Sequence, residues 1–316
     1  MIEKTAQTKG INHKSGLLAI IGLIIAMIFW ASSFIAMKSA FRFYDSFFVI
    51  FGRMAVASAG FLLFIRQIKK VRIRKRDLKF LLLMGLCEPC LYFVLEAFSL
   101  KYTSASQSAM ITSMLPLMVA FAAWLFLGEK ISFRSVIGFI IAIAGVSWLS
   151  VAGEATAEAP NPFLGNLLEF MAMICATGYT VSLKYLSDRY SPVFLTSFQS
   201  FIGAIFFGVF LFFRPESIPT EIHPGATLTI LYLGIAVSMA AYGLYNYGVS
   251  IIPANQASAF TNLIPVLGMI MGWVILGERF TKWQYLASAL VFAGVFISQN
   301  RSDQKKTSSS PVRGIK

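Results

Sequence analysis

Glu88, Tyr92 and Glu96 recur every four residues in a stretch that is otherwise apolar. Residues at i, i+4 and i+8 fall near one face of a helix, so the three make one polar stripe. A carboxyl in such a place can exchange a proton or hold a cation. Its other use is structural, bonded to a neighbouring helix. Arg53 stands in a second apolar stretch. It can pair with Glu96, or it can hold the carboxylate of a ligand, which guanidinium groups grip through paired hydrogen bonds. Pro89 follows Glu88 and removes a backbone donor, so the helix should bend or loosen there. Trp30, Ser33, Tyr179, Tyr242, Asn246 and Asn262 are further polar or amphipathic side chains within apolar stretches. Each can line a ligand cavity or join helix to helix.

Elements that carry such residues must themselves be apolar. The chain is 57% hydrophobic and only 13% charged, against about 25% charged in a soluble domain. Mean hydropathy is +0.72. A membrane span needs about 20 mostly apolar residues. Windows of that kind occur at 17–37, 46–65, 78–99, 104–127, 133–150, 164–184, 193–213, 226–248, 254–276 and 283–299. The expected fold class is an all-α integral membrane protein with ten transmembrane helices.

The chain also repeats itself. Residues 104–146 align without a gap on 253–295, at an offset of 149. Pro116 meets Pro265, Trp124 meets Trp273, and Leu127-Gly128-Glu129 meets Leu276-Gly277-Glu278. Gly16, Ser33 and Gly85 meet Gly165, Ser182 and Gly234. Trp30 meets Tyr179, and Glu88 meets Val237. Five spans per half is an odd number, so the second half should enter the membrane from the opposite face. Two inverted-topology five-helix repeats result, an arrangement that suits alternating access. Thr112 and Thr261 each precede a proline by four residues. The proline lacks the N–H that would bond the Thr carbonyl, so Thr112, Pro116, Thr261 and Pro265 are candidate hinge residues. The Leu-Gly-Glu turns look structural. Glycine ends a helix there, and Ser132 or Thr281 can cap the next.

The expected organisation is a cytoplasmic tail at 1–16, a first repeat at 17–150 and a linker at 151–163. A second repeat at 164–299 and a disordered cytoplasmic tail at 300–316 complete it. Lys and Arg settle the orientation. With the N-terminus inside, 20 of the 27 face the cytoplasm, seven of them within Arg66–Arg76. The first span is too long for a signal peptide, so the N-terminal segment reads as an uncleaved tail. The net charge of +13 is therefore a topology signal, not a nucleic-acid face.

Trp30-Ala-Ser-Ser-Phe, Phe51-Gly-Arg53, Lys101-Tyr-Thr-Ser-Ala and the twin Pro…Leu-Gly-Glu-Lys/Arg…Ala-Gly-Val pattern carry a resemblance. The sequence resembles the EamA-type permeases of the drug/metabolite transporter superfamily over roughly residues 17–298. That resemblance implies ten helices, the inner (plasma) membrane, and export or exchange of a small metabolite such as an amino acid or amine. The expected substrate-binding residues are Trp30, Ser33, Arg53, Glu88, Tyr92, Tyr179, Tyr242, Asn246 and Asn262, with Glu88 as the proton-coupling site. The alternatives weighed are an intramembrane enzyme and a sensory receptor. No predicted span holds a His or Asp to serve as a base, so an enzyme is disfavoured. Cys87, Cys90 and Cys175 lack the partners of a zinc site. No metal and no cofactor is expected, and without a Walker sequence ATP-driven transport is not expected either. The expected partners are a small-molecule substrate and the lipid bilayer, with no nucleic acid; monomer and homodimer stay open. A fluorescent protein fused after Lys316 should fluoresce, and alkaline phosphatase fused there should be inactive. The reverse pattern would overturn the cytoplasmic placement of the C-terminus.

Overall fold

The computed structural model describes residues 13–127 and 132–299. The expected cytoplasmic tails, up to residue 12 and from 300, lie outside the described residues, as does the Gly128-Glu129-Lys130 turn. The rest is helix after helix. These are α1 Ser15–Ala40, α2 Ser46–Ile68, α3 Lys75–Tyr102, α4 Ala105–Phe126, α5 Phe133–Val151, α6 Pro162–Ser187, α7 Pro192–Phe213, α8 Pro224–Ile251 and α9 Ala254–Leu276, then α10 Lys282–Gln299. The nine helices α1–α9 are long and apolar enough to cross a membrane. The expected count of ten is met in helices but not by this measure. In α10, Lys282, Gln284 and Gln299 sit at the ends and dilute its apolar length.

Short joints are set by local chemistry. Asp45, Ser104, Ser132, Asn161 and Ser191 each accept a hydrogen bond from the first turn of the next helix, which answers N–H groups that have no intrahelical partner. At the end of α9, Gly277 takes φ +70°, a left-handed stop that favours glycine. Thr281 and Gln284 then cap each other reciprocally at the start of α10 (3.3 and 2.7 Å).

The bundle buries charged side chains within an apolar core and turns further large apolar side chains outward, where a soluble protein would place its charges. Ile24, Leu125, Phe126, Ile140, Ile205 and Phe213 point outward. Arg53, Glu88, Glu96 and Glu169 are buried. Apolar surface of this extent is stable against acyl chains and not against water.

Irregularities in the helices repeat with the sequence. α3 widens to π-type turns over Leu86–Leu91, and α8 does so over Leu233–Ala241. α4 tightens to a 3₁₀ turn at Thr112–Met114, and α9 at Phe260–Asn262. Both tight turns sit just ahead of Pro116 and Pro265, whose missing N–H disrupts the regular ladder. Contacts exchange in the same way. Gly234 in α8 packs on Val56 and the Arg53 carbonyl in α2, and Gly85 in α3 packs on Ile202 in α7. Ile202 is the residue 149 beyond Arg53. Two lysines add a further pair, each within its own half. Lys38 Nζ donates to the carbonyls of Leu100 and Thr103 (3.2 and 2.5 Å). Lys184 Nζ donates to those of Val249 and Ile252 (2.8 and 3.1 Å). Contacts in one half thus recur in the other at the offset of 149, and the glycine contacts join one half to the other.

α5 and α10 pair with each other at the edge of the bundle, away from the polar interior. A Cβ added at Gly294 would lie 2.5 Å from the Gly138 carbonyl, and one at Gly138 would lie 2.4 Å from the Gly294 carbonyl. Only glycine permits this backbone contact, and small residues are what hold helices together where lipid offers no hydrophobic drive. Overpacking of this kind costs about 1–3 kcal/mol or more. Gly294→Leu should therefore lower the melting temperature of the purified protein in detergent, whereas Phe296→Leu, at an outward position, should not. Equal melting of Gly294→Leu and wild type would remove the backbone contact as a source of stability.

Candidate functional site

The polar side chains converge on one narrow cavity of about 40 Å³ among α1, α2, α3, α4, α6, α8 and α9. That volume holds a few waters. α3 supplies Glu88, Tyr92 and Glu96 to its wall, and α2 supplies Arg53. Glu88 reaches the cavity because its backbone leaves the helix. It is extended, with φ −148° and ψ 117°, next to Pro89 inside the widened segment. The Tyr242 hydroxyl donates a hydrogen bond to Glu88 Oε1. One helical turn on, the Tyr92 hydroxyl donates to Glu96 Oε1 (3.1 Å).

Aromatic rings form the opposite wall. Trp30 packs against Tyr242 and Tyr245, with ring centroids 4.9 and 4.8 Å apart. Tyr179 meets Tyr242 edge to face at 6.3 Å, a favoured geometry for ring quadrupoles. Ser33 also lines the cavity, with its hydroxyl donated to the Trp30 carbonyl (2.7 Å). Thr112 and Thr261 line it as well. Their hydroxyls bond the carbonyls of Ala109 (2.7 Å) and Ser258 (2.6 Å), which are themselves 149 apart. Pro116 and Pro265 are buried behind them.

Arg53 departs from the expected pairing. It makes no direct ion pair with Glu96 or Glu88 among the described residues. Its Nε donates to Ser238 Oγ at 2.8 Å, its Nη1 lies 3.1 Å from Met37 Sδ, and its guanidinium carbon stands 4.4 Å from the centre of the Phe93 ring. The charge is held in place by groups that do not neutralise it.

Two expected residues do not line the cavity. Asn246 is fully buried behind it, accepting from the Tyr179 hydroxyl (2.5 Å) and donating to Thr196 Oγ1 (2.8 Å). It orients a wall residue. Asn262 is half-buried to one side, and its Oδ1 has no partner among the described residues. The 3₁₀ turn at Phe260–Asn262 directs Thr261 and Ile264 inward instead. Thr180 and Glu169 are the candidates that the apolar windows concealed; Tyr245, a polar aromatic of the eighth window, also lines the cavity. Glu169 is the single acidic residue in window 164–184, so a search for acids in every span would have found it.

Comparison with known proteins fits this geometry. The EamA-like transporter family matches residues 17–151 and again 163–299. The chain belongs to that family. Among relatives of this EamA member is an uncharacterized transporter of Bacillus subtilis (strain 168), 27% identical over 302 residues, covering 93% of this chain and 91% of the relative. A transporter of Archaeoglobus fulgidus is 30% identical over 279 residues, covering 87% and 96%. A protein of Streptantibioticus cattleyicolor named "Probable terminal-alkyne amino-acid exporter" is 24% identical over 302 residues, covering 93% and 98%. A solved crystal structure shares the fold with a TM-score of 0.64 at 15% identity, covering 94% of this chain and 99% of the other. The EamA member described here is thus a membrane transporter built of two helical repeats.

Asn246→Leu should leave the Tyr179 and Thr196 hydroxyls without their amide. Tyr179 would keep its 3.3 Å bond to Gln199 Oε1 and Thr196 its bond to the Pro192 carbonyl, so the loss is that of the amide bonds alone, about 0.5–1.5 kcal/mol each. Its melting temperature should drop below that of Asn262→Leu, which breaks no described bond. If Asn262→Leu proves the less stable of the two, the supporting role given to Asn246 is wrong.

Proposed function

We propose that this chain is a secondary transporter that exports or exchanges a small amino acid across the cytoplasmic membrane by alternating access. The observation that carries the reading is Arg53. A buried guanidinium lines the cavity with no directly paired carboxylate among the described residues, while Glu88 and Glu96 line the same cavity. A zwitterion answers both. Its carboxylate would take the guanidinium, and its ammonium would take the carboxyls, beside the faces of Trp30 and Tyr242. The name of the Streptantibioticus relative, an amino-acid exporter, points the same way. An amine is the second reading, favoured by the two cavity acids against one base.

Alternating access needs closures that break in turn. Each end of the bundle has a carboxylate that joins the halves. Glu278 accepts from the backbone N–H groups of Ala105 and Ser106, both at 2.9 Å, tying the end of α9 to the start of α4. A carboxylate suits that place, since a helix N-terminus carries partial positive charge. At the other end, Asp77 accepts from Arg189 Nε (3.1 Å) and the Tyr190 hydroxyl (3.0 Å), tying the start of α3 to the end of α6. With both ties made the cavity is too small for a metabolite. Loss of the Glu278 tie would open the outer side, and loss of the Asp77 tie the inner. The 3₁₀ turns before Pro116 and Pro265 would serve as the hinges. Glu88 would serve as the coupling site, exchanging a proton for the ammonium.

The test is counterflow in proteoliposomes with a panel of amino acids and the amines made by removing their carboxyl group. A lost charged hydrogen bond is worth about 1.5–3 kcal/mol, so Arg53→Gln should weaken apparent affinity for the amino acid about 10–100-fold and leave the matching amine unchanged. Proton and ammonium should compete for Glu88, so wild-type counterflow should fall as pH falls from 8.5 to 5.5. Glu88→Gln should insert normally and flatten that profile, with a milder effect from Glu96→Gln. Amine counterflow that exceeds amino-acid counterflow in wild type would replace the first reading with the second. An unchanged profile in Glu88→Gln would reduce that residue to a structural carboxyl.

A further inference from the structure

Glu169 has no part in the cavity wall, yet it is wholly buried in the middle of the protein. Neither of its carboxyl oxygens has a hydrogen-bond partner among the described residues, and Glu96 Oε2 has none either. The packing of α6 on α3 explains where it points. A Cβ added at Gly165 would lie 2.6 Å from Thr103 Cβ and 2.9 Å from the Ser99 carbonyl. The helices run antiparallel, so one turn along α6, at Glu169, the facing residues of α3 are Ser99 and Glu96. Two turns on, Met173 reaches the cavity that Glu96 lines. Glu96 and Glu169 therefore face each other across the α3–α6 contact, each with an unanswered oxygen.

The groups around them do not supply a second cation. From α3 the neighbours are Tyr92, which donates to Glu96, and Ser99, whose Oγ faces Glu169 and is paired with Ser108 Oγ at 2.9 Å. Glu88 lies further along the same helix, beyond Tyr92. From α4 come Gln107 and Ser108. Gln107 accepts from Asn166 Nδ2 (2.9 Å), and Asn166 Oδ1 accepts from Thr103 Oγ1 (2.9 Å). α7 and α9 bring no charged side chain to this place, and α8 brings Tyr242 and Tyr245. Arg134 is at the far end of α5. Lys38 is committed to the carbonyls of Leu100, Thr103 and Glu158. Among the described residues Arg53 is the guanidinium that stands near, and it acts on Glu96 from the cavity side.

We propose that Glu96 and Glu169 carry one proton between them, with Glu169 the protonated acid and Glu96 the carboxylate that accepts from it. Two buried carboxylates that face each other strongly disfavour ionising together, so one holds a proton. Arg53 favours charge on Glu96, so the proton belongs to the acid further from the guanidinium. The pair forms a second protonation site beside the cavity, separate from Glu88. Its use in transport rests on the substrate reading above. An ammonium that takes the Glu96 carboxylate removes the acceptor of the Glu169 proton and supplies a positive charge in its place. The O–H bond of Glu169 then breaks heterolytically, its proton leaves to water in the cavity, and the electron pair stays on the carboxylate.

Infrared spectra of the purified protein in lipid nanodiscs, in H₂O and D₂O at neutral pH and without substrate, test the pair. Glu169→Gln should remove one carboxylic-acid C=O band. Glu96→Gln should remove none and shift that same band, because the acid loses its ionised acceptor. No loss in Glu169→Gln overturns the proposal. So does a separate band lost in Glu96→Gln, or a band that Glu96→Gln leaves unshifted. If Glu169→Gln does not fold, Glu169→Asp carries the test. It should keep a protonated band at a shifted frequency, and an unshifted one overturns the pairing. A pH-indicating dye in weak buffer tests the exchange, with whichever compound the wild type transports. Wild type should release about one more proton per bound molecule than Glu169→Gln does. Equal release from both overturns the exchange while the infrared result still decides the pair.

Discussion

A guanidinium buried away from bulk water must be answered by the protein, and Arg53 imposes that requirement on everything around it. An isolated buried charge is expensive enough that it survives only with close hydrogen-bonding and polar neighbours. Here the neighbours are a serine hydroxyl, a methionine sulfur and a phenyl face. These soften the charge without cancelling it. Glu88 and Glu96 share the cavity but keep their nearest bonds for Tyr242 and Tyr92. The interior is thereby left polarised, with separated charges of both signs around a small space. Opposite charges in contact would make a strut. Held apart, they make a place for something that carries both signs itself.

The surrounding helices are shaped to preserve this separation. α3 must leave the α conformation for Glu88 to face inward. Gly234 lets α8 press on the Arg53 carbonyl, which fixes the backbone that bears the charge. Tyr179 is oriented by Asn246, and Asn246 by Thr196 on α7. A chain of short polar contacts therefore runs from the wall of the cavity to the second layer of helices. Breaks in helix regularity are tolerable at this depth because the freed backbone groups face protein or cavity rather than lipid.

Much of this was legible in the residues alone. Apolar windows mark the helices within a few residues, since the length of a span is fixed by the membrane. The offset of 149 marks the repeat, and Pro89, Pro116 and Pro265 mark places where the ladder fails. Azimuth was harder. A 3₁₀ turn advances about 120° per residue where an α-helix advances about 100°, so three such residues rotate the rest of the helix by about 60°. Thr261 and Asn262 are neighbours about 120° apart within that turn, so with Thr261 facing the cavity Asn262 misses it. Asn246 was legible as a buried amide, but not as a residue serving Tyr179 from behind. Glu169 escaped notice because one acid among many apolar residues barely lowers the hydropathy of a window. Arg53 offered two partners on paper, and the ring of Phe93, an apolar residue by composition, was neither.

The two lysines at Lys38 and Lys184 hold carbonyl pairs that are 149 residues apart, yet the lysines themselves are 146 apart. One donor has slipped a turn of helix while its acceptors stayed in register. A lysine stem of four methylenes can reach the same oxygens from either of two adjacent turns. Symmetry in this molecule is therefore kept by the unpaired carbonyls at the ends of α3 and α8, and not by the side chains that serve them. Duplicated genes can drift apart at such donors without losing the bond. Aligned column by column, the halves set Lys38 against Ser187 and Ile35 against Lys184, so the shared bond does not show in the sequence repeat at all.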